Sequence, residues 1–236
     1  MTDLQQVVRD FDAIAGALAE VSRPDVLTPA ERALLRHVPP DAQRTLDVGC
    51  GDGVVARTLA RRGLTVLAID ISPRMIELAR ARTDRALRIE YRVGDIMTTD
   101  LPAGGFDVVT TINMVHHLPL PDVVPRLATL VAPGGYLLIQ DVQTRSGIRY
   151  LPLNVAAAIR RRLRALVSPS RITPQAAALY ERHGAGELYL TPPETHRAYR
   201  ALLPDALIEQ HLEWRYSVVW SRQRAASSKR IQILST

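Results

Sequence analysis

The chemistry in this chain begins at Asp47-Val48-Gly49-Cys50-Gly51-Asp52-Gly53, which sets three glycines at alternate positions. Glycine permits a sharp turn and removes the side chains that would hold a ligand off the backbone. A helix opening directly after the turn adds its positive N-terminal dipole. Asp70 follows roughly 20 residues later at the end of an apolar run, a position from which a carboxylate accepts hydrogen bonds from both ribose hydroxyls. Its other possible role is to cap the next helix. A dinucleotide fingerprint calls for glycine where this chain has Val54. Asp47 also sets negative charge beside the turn, unfavourable to a pyrophosphate and favourable to an ammonium group. The local chemistry points away from NAD, toward a cofactor with adenosine at one end and an amino acid at the other.

Alternating strand and helix patterns place these residues. Thr45-Leu46-Asp47-Val48 reads as a short strand, and residues 54–62 as a helix ended by Gly63. Residues 65–70 form an almost wholly apolar strand, as expected where helices cover both faces of a parallel sheet. Ser72 and Pro73 start a helix that turns Met75, Leu78 and Ala79 toward the sheet. Further strands are expected at 89–93, 106–111 and 136–140, with a crossover helix over 120–131 and a turn at Pro133-Gly134-Gly135. Five strands separated by helix-length segments predict an α/β, doubly wound sheet with its ligand crevice outside the carboxyl ends of the strands.

The flanking segments complete that frame. Val7, Val8, Phe11, Ile14, Leu18 and Val21 recur at helical spacing. A second helix is expected after Thr28, with Pro29 in its first turn, Glu31 closing a capping box, and Pro39-Pro40 stopping it. Residues 1–43 therefore read as N-terminal helices capping the crevice of a 44–223 domain. Helices over 153–167, 174–183 and 193–203 make residues 150–204 a helical lid after the fifth strand. Tyr150, Tyr180, His183 and Tyr189 are its candidate acceptor-binding residues. Runs at 206–212 and 216–220 are too close for a crossover and predict an antiparallel hairpin, bringing the mostly parallel sheet to seven strands. Residues 224–236 read as a loose tail.

Composition narrows the partners. The formal charge is +6, but residues 1–153 carry 17 Arg against 18 acids, whereas residues 154–236 carry 13 basic residues against 6 acidic ones. Arg160-Arg161-Arg162 and Arg164 are either a solvated surface or a patch that draws an anionic substrate, lipid or nucleic acid. Val155, Ile159, Leu163 and Leu166 give the same helix an apolar face, expected to pack over the sheet or guard an apolar pocket. The single cysteine, Cys50, excludes an intrachain disulfide. Without a signal peptide pattern or an uncharged apolar run of about 18 residues, a cytoplasmic protein with no transmembrane segment is expected.

Taken in order, the motifs resemble those of the class I, Rossmann-like S-adenosylmethionine-dependent methyltransferases. The resemblance runs through Leu46 to Gly53, Ile69-Asp70-Ile71-Ser72, Gly94-Asp95-Ile96, Phe106-Asp107-Val108-Val109, His116-His117-Leu118 and Ala132-Pro133-Gly134-Gly135-Tyr136-Leu137. It implies S-adenosyl-L-methionine as cofactor. Asp47 and the turn formed by Gly49, Cys50, Gly51 and Gly53 would engage its methionine portion, Asp70 the ribose hydroxyls, and Asp95 the adenine amino group between Ile71 and Ile96. The loop through Asn113 and Met114 would close the methionine side. Cys50 reads as a packing residue rather than a nucleophile. His116 or His117 lies where a general base reaches the crevice, with His116 preferred; the alternative is that both orient the loop.

Several acceptors are disfavoured. Thr111-Ile112-Asn113-Met114 stands where amino-methylating DNA enzymes carry Asn/Asp-Pro-Pro-aromatic, and Cys50 is committed to the turn, so DNA base methylation is not expected. The fourth strand ends without a carboxylate and Asp141 ends the fifth alone, read as a helix cap or substrate contact, so no metal is expected. No separate RNA-binding module is evident. The expected activity is methyl transfer to oxygen or nitrogen of a small organic acceptor such as a secondary metabolite. An RNA or protein acceptor, and a noncatalytic S-adenosylmethionine-binding sensor, stand as alternatives. Oligomeric state is left open.

Overall fold

The computed structural model describes residues 4–20, 25–145, 148–167, 173–185, 187, 189–212 and 214–223, the side chains of 161 and 164–167 excepted. Val21, the expected tail 224–236, and the side chains of Arg161, Arg164 and Leu166 lie outside the described residues. Two helices, α1 (Leu4–Ala19) and α2 (Pro29–Leu34), precede the alternating run β1 (Arg44–Val48), α3 (Val54–Arg61), β2 (Thr65–Asp70), α4 (Pro73–Ala81), β3 (Ile89–Val93), β4 (Phe106–Ile112), α5 (Leu120–Leu130) and β5 (Val131–Val142). Then come α6 (Leu151–Val167), α7 (Pro174–Gly184), α8 (Pro192–Leu202), β6 (Leu207–His211) and β7 (Arg215–Ser221). The seven strands are ordered β3-β2-β1-β4-β5-β7-β6. β1 to β5 are parallel, and β7 runs antiparallel between β5 and β6. The expected mixed sheet, C-terminal hairpin and helical insertion are all present.

Local chemistry starts the helices where expected. Thr28 and Glu31 form the predicted capping box on α2, and the Ser72 hydroxyl accepts from the Met75 N–H at the start of α4. Such caps satisfy backbone donors that have no partner inside the helix. The sheet is covered on both faces. Leu46, Ile69, Val109, Leu137 and Ile139 pack with Val123 and Leu127 of α5 and Tyr199 of α8. Val66 and Ala68 pack on the other face with Ala56 and Leu59 of α3 and Ile76 of α4. α1 lies outside α4 and α7, burying Ile14, Ala15 and Leu18 with Met75 and Ala176. That placement carries the first turns of α1 to the carboxyl ends of the strands.

Three expectations change. On α4, Ile76 and Ala79 pack toward the sheet, while Met75 and Leu78 pack against α1. β5 does not begin after the Pro133-Gly134-Gly135 turn; it starts at Val131 and passes through those residues, with a register irregularity opposite Phe106 and Val108. Gly134, at φ 84°, donates to the Arg222 carbonyl at 2.7 Å, so the β7 side supplies the pairing. The largest correction concerns α6. Val155, Ile159 and Leu163 do not pack over the sheet but stand 50%, 54% and 59% exposed. The helix meets the body through its small side instead: Ala157 is buried, Asn154 Nδ2 donates to the Arg145 carbonyl at 3.1 Å, and Asn154 Oδ1 accepts from Trp214 Nε1 at 3.0 Å. Polar satisfaction at Asn154 sets the rotation of α6, and helical periodicity carries no information about it.

One buried ion pair ties the N-terminal segment to the sheet. Arg57 is 1% exposed; its Nε and Nη2 donate to Asp25, with Nη2 at 2.6 Å, and its Nη1 donates to the Asp52 carbonyl at 2.6 Å. Asp25 also pairs with Arg61 at 2.6 Å. Asp25→Ala leaves a buried guanidinium without its carboxylate, a loss of about 3–5 kcal/mol. Thermal denaturation of this variant is expected to show a large fall in Tm, and a shift within error of wild type would show that the pair is idle.

Candidate active site

β1, β2, β3 and β4 end on one rim, and a cleft of about 560 Å³, partly open to solvent, lies beyond them. Its walls include Val48 and Gly49 from β1, Ile69, Asp70 and Ile71 from β2, Gly94, Asp95 and Ile96 after β3, and Asn113 and Met114 after β4. Leu4, Val7 and Phe11 of α1 line it from the opposite side, with His117 and Leu118.

The glycine turn is stitched to the end of β2. Gly49 and Cys50 N–H donate to the Ile69 carbonyl at 2.9 and 3.1 Å, and Gly51 N–H donates to Asp70 Oδ2 at 2.8 Å. Asp70 Oδ1 accepts from Ser72 N–H at 2.9 Å. The helix cap is the Ser72 hydroxyl, so Asp70 anchors the turn rather than capping α4. A carboxylate offers about four acceptor sites, so those two bonds leave capacity toward the pocket. Burial raises the Asp70 carboxyl, with the Ser72 and Gly51 N–H groups acting against it. Gly49 has φ 68° and a Cβ there would stand 2.7 Å from Met114 Cγ, so glycine is required for this close approach.

Asp47 sits beneath the turn, 2% exposed and outside the pocket walls. Its Oδ1 accepts from the Thr110 hydroxyl at 2.9 Å, and its Oδ2 is buried without a hydrogen-bond partner. Burial pushes its carboxyl up to about 7, with Thr110 opposing and the Asp70 charge adding. Cys50, Gly51 and Gly53 also lie off the pocket walls. Burial pushes the Cys50 thiol up, followed by Asp70 and Asp47; a neutral thiol suits packing and not attack.

The two histidines part company. His116 Nδ1 meets Asp141 Oδ1 at 2.6 Å, and the His116 backbone N–H donates to Asp141 Oδ2 at 2.9 Å. Asp141 is fully buried and holds this histidine; it neither caps a helix nor lines the pocket. His117 lines the pocket, with Nδ1 3.2 Å from Glu187 Oε1. Burial depresses its imidazole to about 3, helped by His116 and His183. His183 Nδ1 lies 2.9 Å from Asp10 Oδ2. Phe11 packs edge-on against both His117 and His183, and Tyr189 lies 5.4 Å from the His116 ring.

Of the expected acceptor residues, His183 and Tyr189 join this cluster, whereas Tyr150 and Tyr180 do not. Tyr150 sits in a short 3-10 turn against Arg149, and Tyr180 is 37% exposed on α7. Neither is on the pocket wall. Sequence reasoning gave no role to Asp10 or Glu187. Asp10 lies one residue from Phe11 on the pocket-facing helix, which was the available signal; Glu187 offered none.

A doubly wound sheet with carboxylates ending β2 and following β3 defines an α/β protein built for an adenosine-bearing cofactor. A methyltransferase-domain family matches residues 45–135. An uncharacterized methyltransferase of Mycobacterium tuberculosis is 35% identical over 190 residues, 78% of this chain and 89% of that protein. A ubiquinone biosynthesis O-methyltransferase of Xanthomonas axonopodis is 39% identical over 108 residues, 44% of each chain. The phosphoethanolamine N-methyltransferase 2 structure from Haemonchus contortus shares the fold, with a TM-score of 0.62 and 16% identity over 91% of this chain and 58% of that one. The chain belongs to the class I S-adenosylmethionine-dependent methyltransferases, and S-adenosylmethionine is its cofactor. Among the described residues, no helix is long and apolar enough to cross a membrane.

The raised carboxyl of Asp47 has a signed consequence. Between the unfolded value near 4 and about 7, the native state holds a proton that the unfolded state has released. This stability is fully present below the unfolded pKa and is lost as pH rises through the folded one. Urea denaturation at pH 5, 6, 7 and 8 is expected to show wild type losing stability relative to Asp47→Asn, by up to about 1.4 kcal/mol per pH unit and levelling above pH 7. The comparison cancels His117, whose depressed value acts in the opposite sense. A pH-independent difference would show that Asp47 is ionised throughout.

Proposed function

We propose that the chain transfers the methyl group of S-adenosylmethionine to an oxygen or nitrogen of a small organic acceptor, with His116 taking the acceptor proton. The observation that carries this is the His116–Asp141 pair, whose imidazole is not itself on the pocket wall but lies 3.9 Å from that of His117, which is. A buried carboxylate at 2.6 Å from Nδ1 holds the proton on that nitrogen, so Nε2 keeps a free electron pair and serves as the base. Asp141 is the positioning residue, fixing the ring through its side chain and its backbone together.

The chain fits the cofactor. Asp70 and Asp95 stand on the pocket wall for the ribose hydroxyls and the adenine amino group, with Ile71 and Ile96 beside the base. The unpartnered Asp47 Oδ2 supplies negative potential under the turn, suited to the methionine ammonium group. Gly49, Asn113 and Met114 border the same end. The bound cofactor supplies a methyl group on a positively charged sulfur, an already activated leaving group. The protein therefore contributes alignment and exclusion of water. Leu4, Val7 and Phe11 on the pocket wall support residues 4–20 as an apolar cap, and the contacts of His183, Glu187 and Tyr189 with His116 and His117 support the 150–204 segment as the acceptor side. The O-methyltransferase named among the relatives supports a small acceptor.

Calorimetric titration with S-adenosylhomocysteine is expected to show binding that Asp70→Ala weakens about 10- to 100-fold, the loss of a charge-assisted hydrogen bond worth roughly 1.5–3 kcal/mol. Equal affinity for NAD would overturn the cofactor site. Acceptor turnover is read with labelled S-adenosylmethionine against a panel of phenols, carboxylic acids and amines. With an accepted substrate, His116→Ala is expected to lose about 10²- to 10⁴-fold in kcat, to keep its cofactor affinity, and to regain rate with added imidazole. Full activity in His116→Ala removes the base assignment.

A further inference from the structure

His117, His183 and Glu187 form a second constellation beside the methyl-transfer groups. They come from the turn after β4, the last turn of α7 and the segment after it, yet each offers a ligand atom within 4.8 Å of the other two. Their side chains are only 6%, 8% and 3% exposed. His117 Nδ1 and His183 Nε2 stand 3.2 and 3.8 Å from the same oxygen, Glu187 Oε1. His183 Nε2 is buried with no hydrogen-bond partner. An orphaned buried polar atom costs about 1–3 kcal/mol, and this one points into the cluster.

The separations suit one small cation. Ligands about 2.0–2.1 Å from a tetrahedral zinc lie about 3.3 Å from one another, so slight side-chain rotation closes this triangle on a metal. The surroundings are built for it as well. His183 Nδ1 engages Asp10 at 2.9 Å, the carboxylate–histidine pairing that orients metal ligands and fixes which nitrogen is free. Asp10, Glu187 and, through the adjoining His116, Asp141 surround the three imidazoles with negative charge. Sequence reasoning looked for the all-oxygen cluster of a hard ion; two imidazoles with one carboxylate instead suit zinc or another divalent first-row transition ion.

We propose that His117, His183 and Glu187 bind a divalent transition-metal ion, zinc being the probe, with Asp10 as the outer partner of His183. The set has three protein ligands, which leaves a fourth position of the kind found in catalytic rather than structural zinc sites. His117 places that position at the pocket wall. There the ion would take an acceptor oxygen and ease its deprotonation; this role rests on the methyl-transfer reading, whereas metal binding itself does not.

The test uses the full chain stripped of metal with a chelator and titrated calorimetrically with zinc chloride. One equivalent is expected to bind with a micromolar or tighter Kd. His183→Ala and Glu187→Gln each weaken binding at least 100-fold, Asp10→Asn weakens it about 10- to 100-fold, and His196→Ala on α8 leaves it unchanged. X-ray absorption of the zinc-loaded wild type, which needs no variant to fold, is expected to show two imidazole ligands. Absence of stoichiometric binding, wild-type affinity in His183→Ala and Glu187→Gln, or fewer than two imidazoles around the ion overturns the site. S-adenosylhomocysteine titrated in parallel separates the two readings: its binding without zinc binding sinks the metal site alone.

Discussion

Asp70 is gripped from two sides, by the Gly51 N–H of the turn after β1 and by the Ser72 N–H of the turn after β2. Its own carbonyl accepts from Gly94 N–H at 2.9 Å, which brings in the turn after β3. One residue thus fixes the relative positions of three strand ends, and the cofactor pocket is the space those ends enclose. The parallel register aligning Val48 with Ile69 makes this geometry available. The positive φ angles of Gly49, Gly51 and Gly53 then let the chain double back so that Gly49, Cys50 and Gly51 all aim their N–H groups at the end of β2. A side chain at Gly53 would collide with the Tyr91 hydroxyl and Arg57, so that glycine serves packing under the turn rather than ligand approach.

This arrangement carries an electrostatic cost. Asp47 and Asp70 lie near the ends of adjacent strands, and the Asp70 charge adds to burial, the larger cause, in making Asp47 harder to ionise. Among the described residues neither is hydrogen-bonded to a basic side chain; both are held by hydroxyl and backbone donors. Those donors carry no net charge, so whatever negative charge the pair holds, that of Asp47 only as pH passes about 7, has no bonded cation beside it. A ligand with a positive sulfur and an ammonium group offsets that charge, and a pyrophosphate adds to it.

The frame was legible because it rests on local signals. Buried parallel strands, the alternate glycines, the Thr28–Glu31 box and the Ser72-Pro73 start each announce themselves within a few residues, and strand order follows from the short hairpin at the end of the chain. What could not be read depends on rotation and on distant pairing. The apolar stripe of α6 exists as periodicity predicts, but Asn154 and Ala157 decide which way it faces. Arg57 and Asp25 are 32 positions apart and nothing in either neighbourhood marks them as partners. Glu187 and His117 are 70 apart, and Glu187 lies in a stretch with no strong helix or strand pattern. Cofactor residues sit at strand ends, where the pattern itself locates them; acceptor residues come from an insertion, where it does not.

His116 and His117 show how far tertiary context separates neighbours. Their rings lie 3.9 Å apart, yet one is held by the fully buried carboxylate of β5 and the other by a carboxylate from the segment after α7. His116 takes both of its hydrogen bonds from Asp141 of the sheet, and the insertion reaches it only through the Tyr189 ring. His117 depends on Glu187, and through Phe11 it also touches α1, which contacts His183 as well. The His117 corner of the pocket is thus assembled from three separate chain segments that meet around one imidazole. Displacing α7 removes the Glu187 contact, and displacing α1 opens the apolar wall at Phe11. The insertion and the N-terminal helix therefore close the His117 corner together, Glu187 coming from the one and Phe11 from the other.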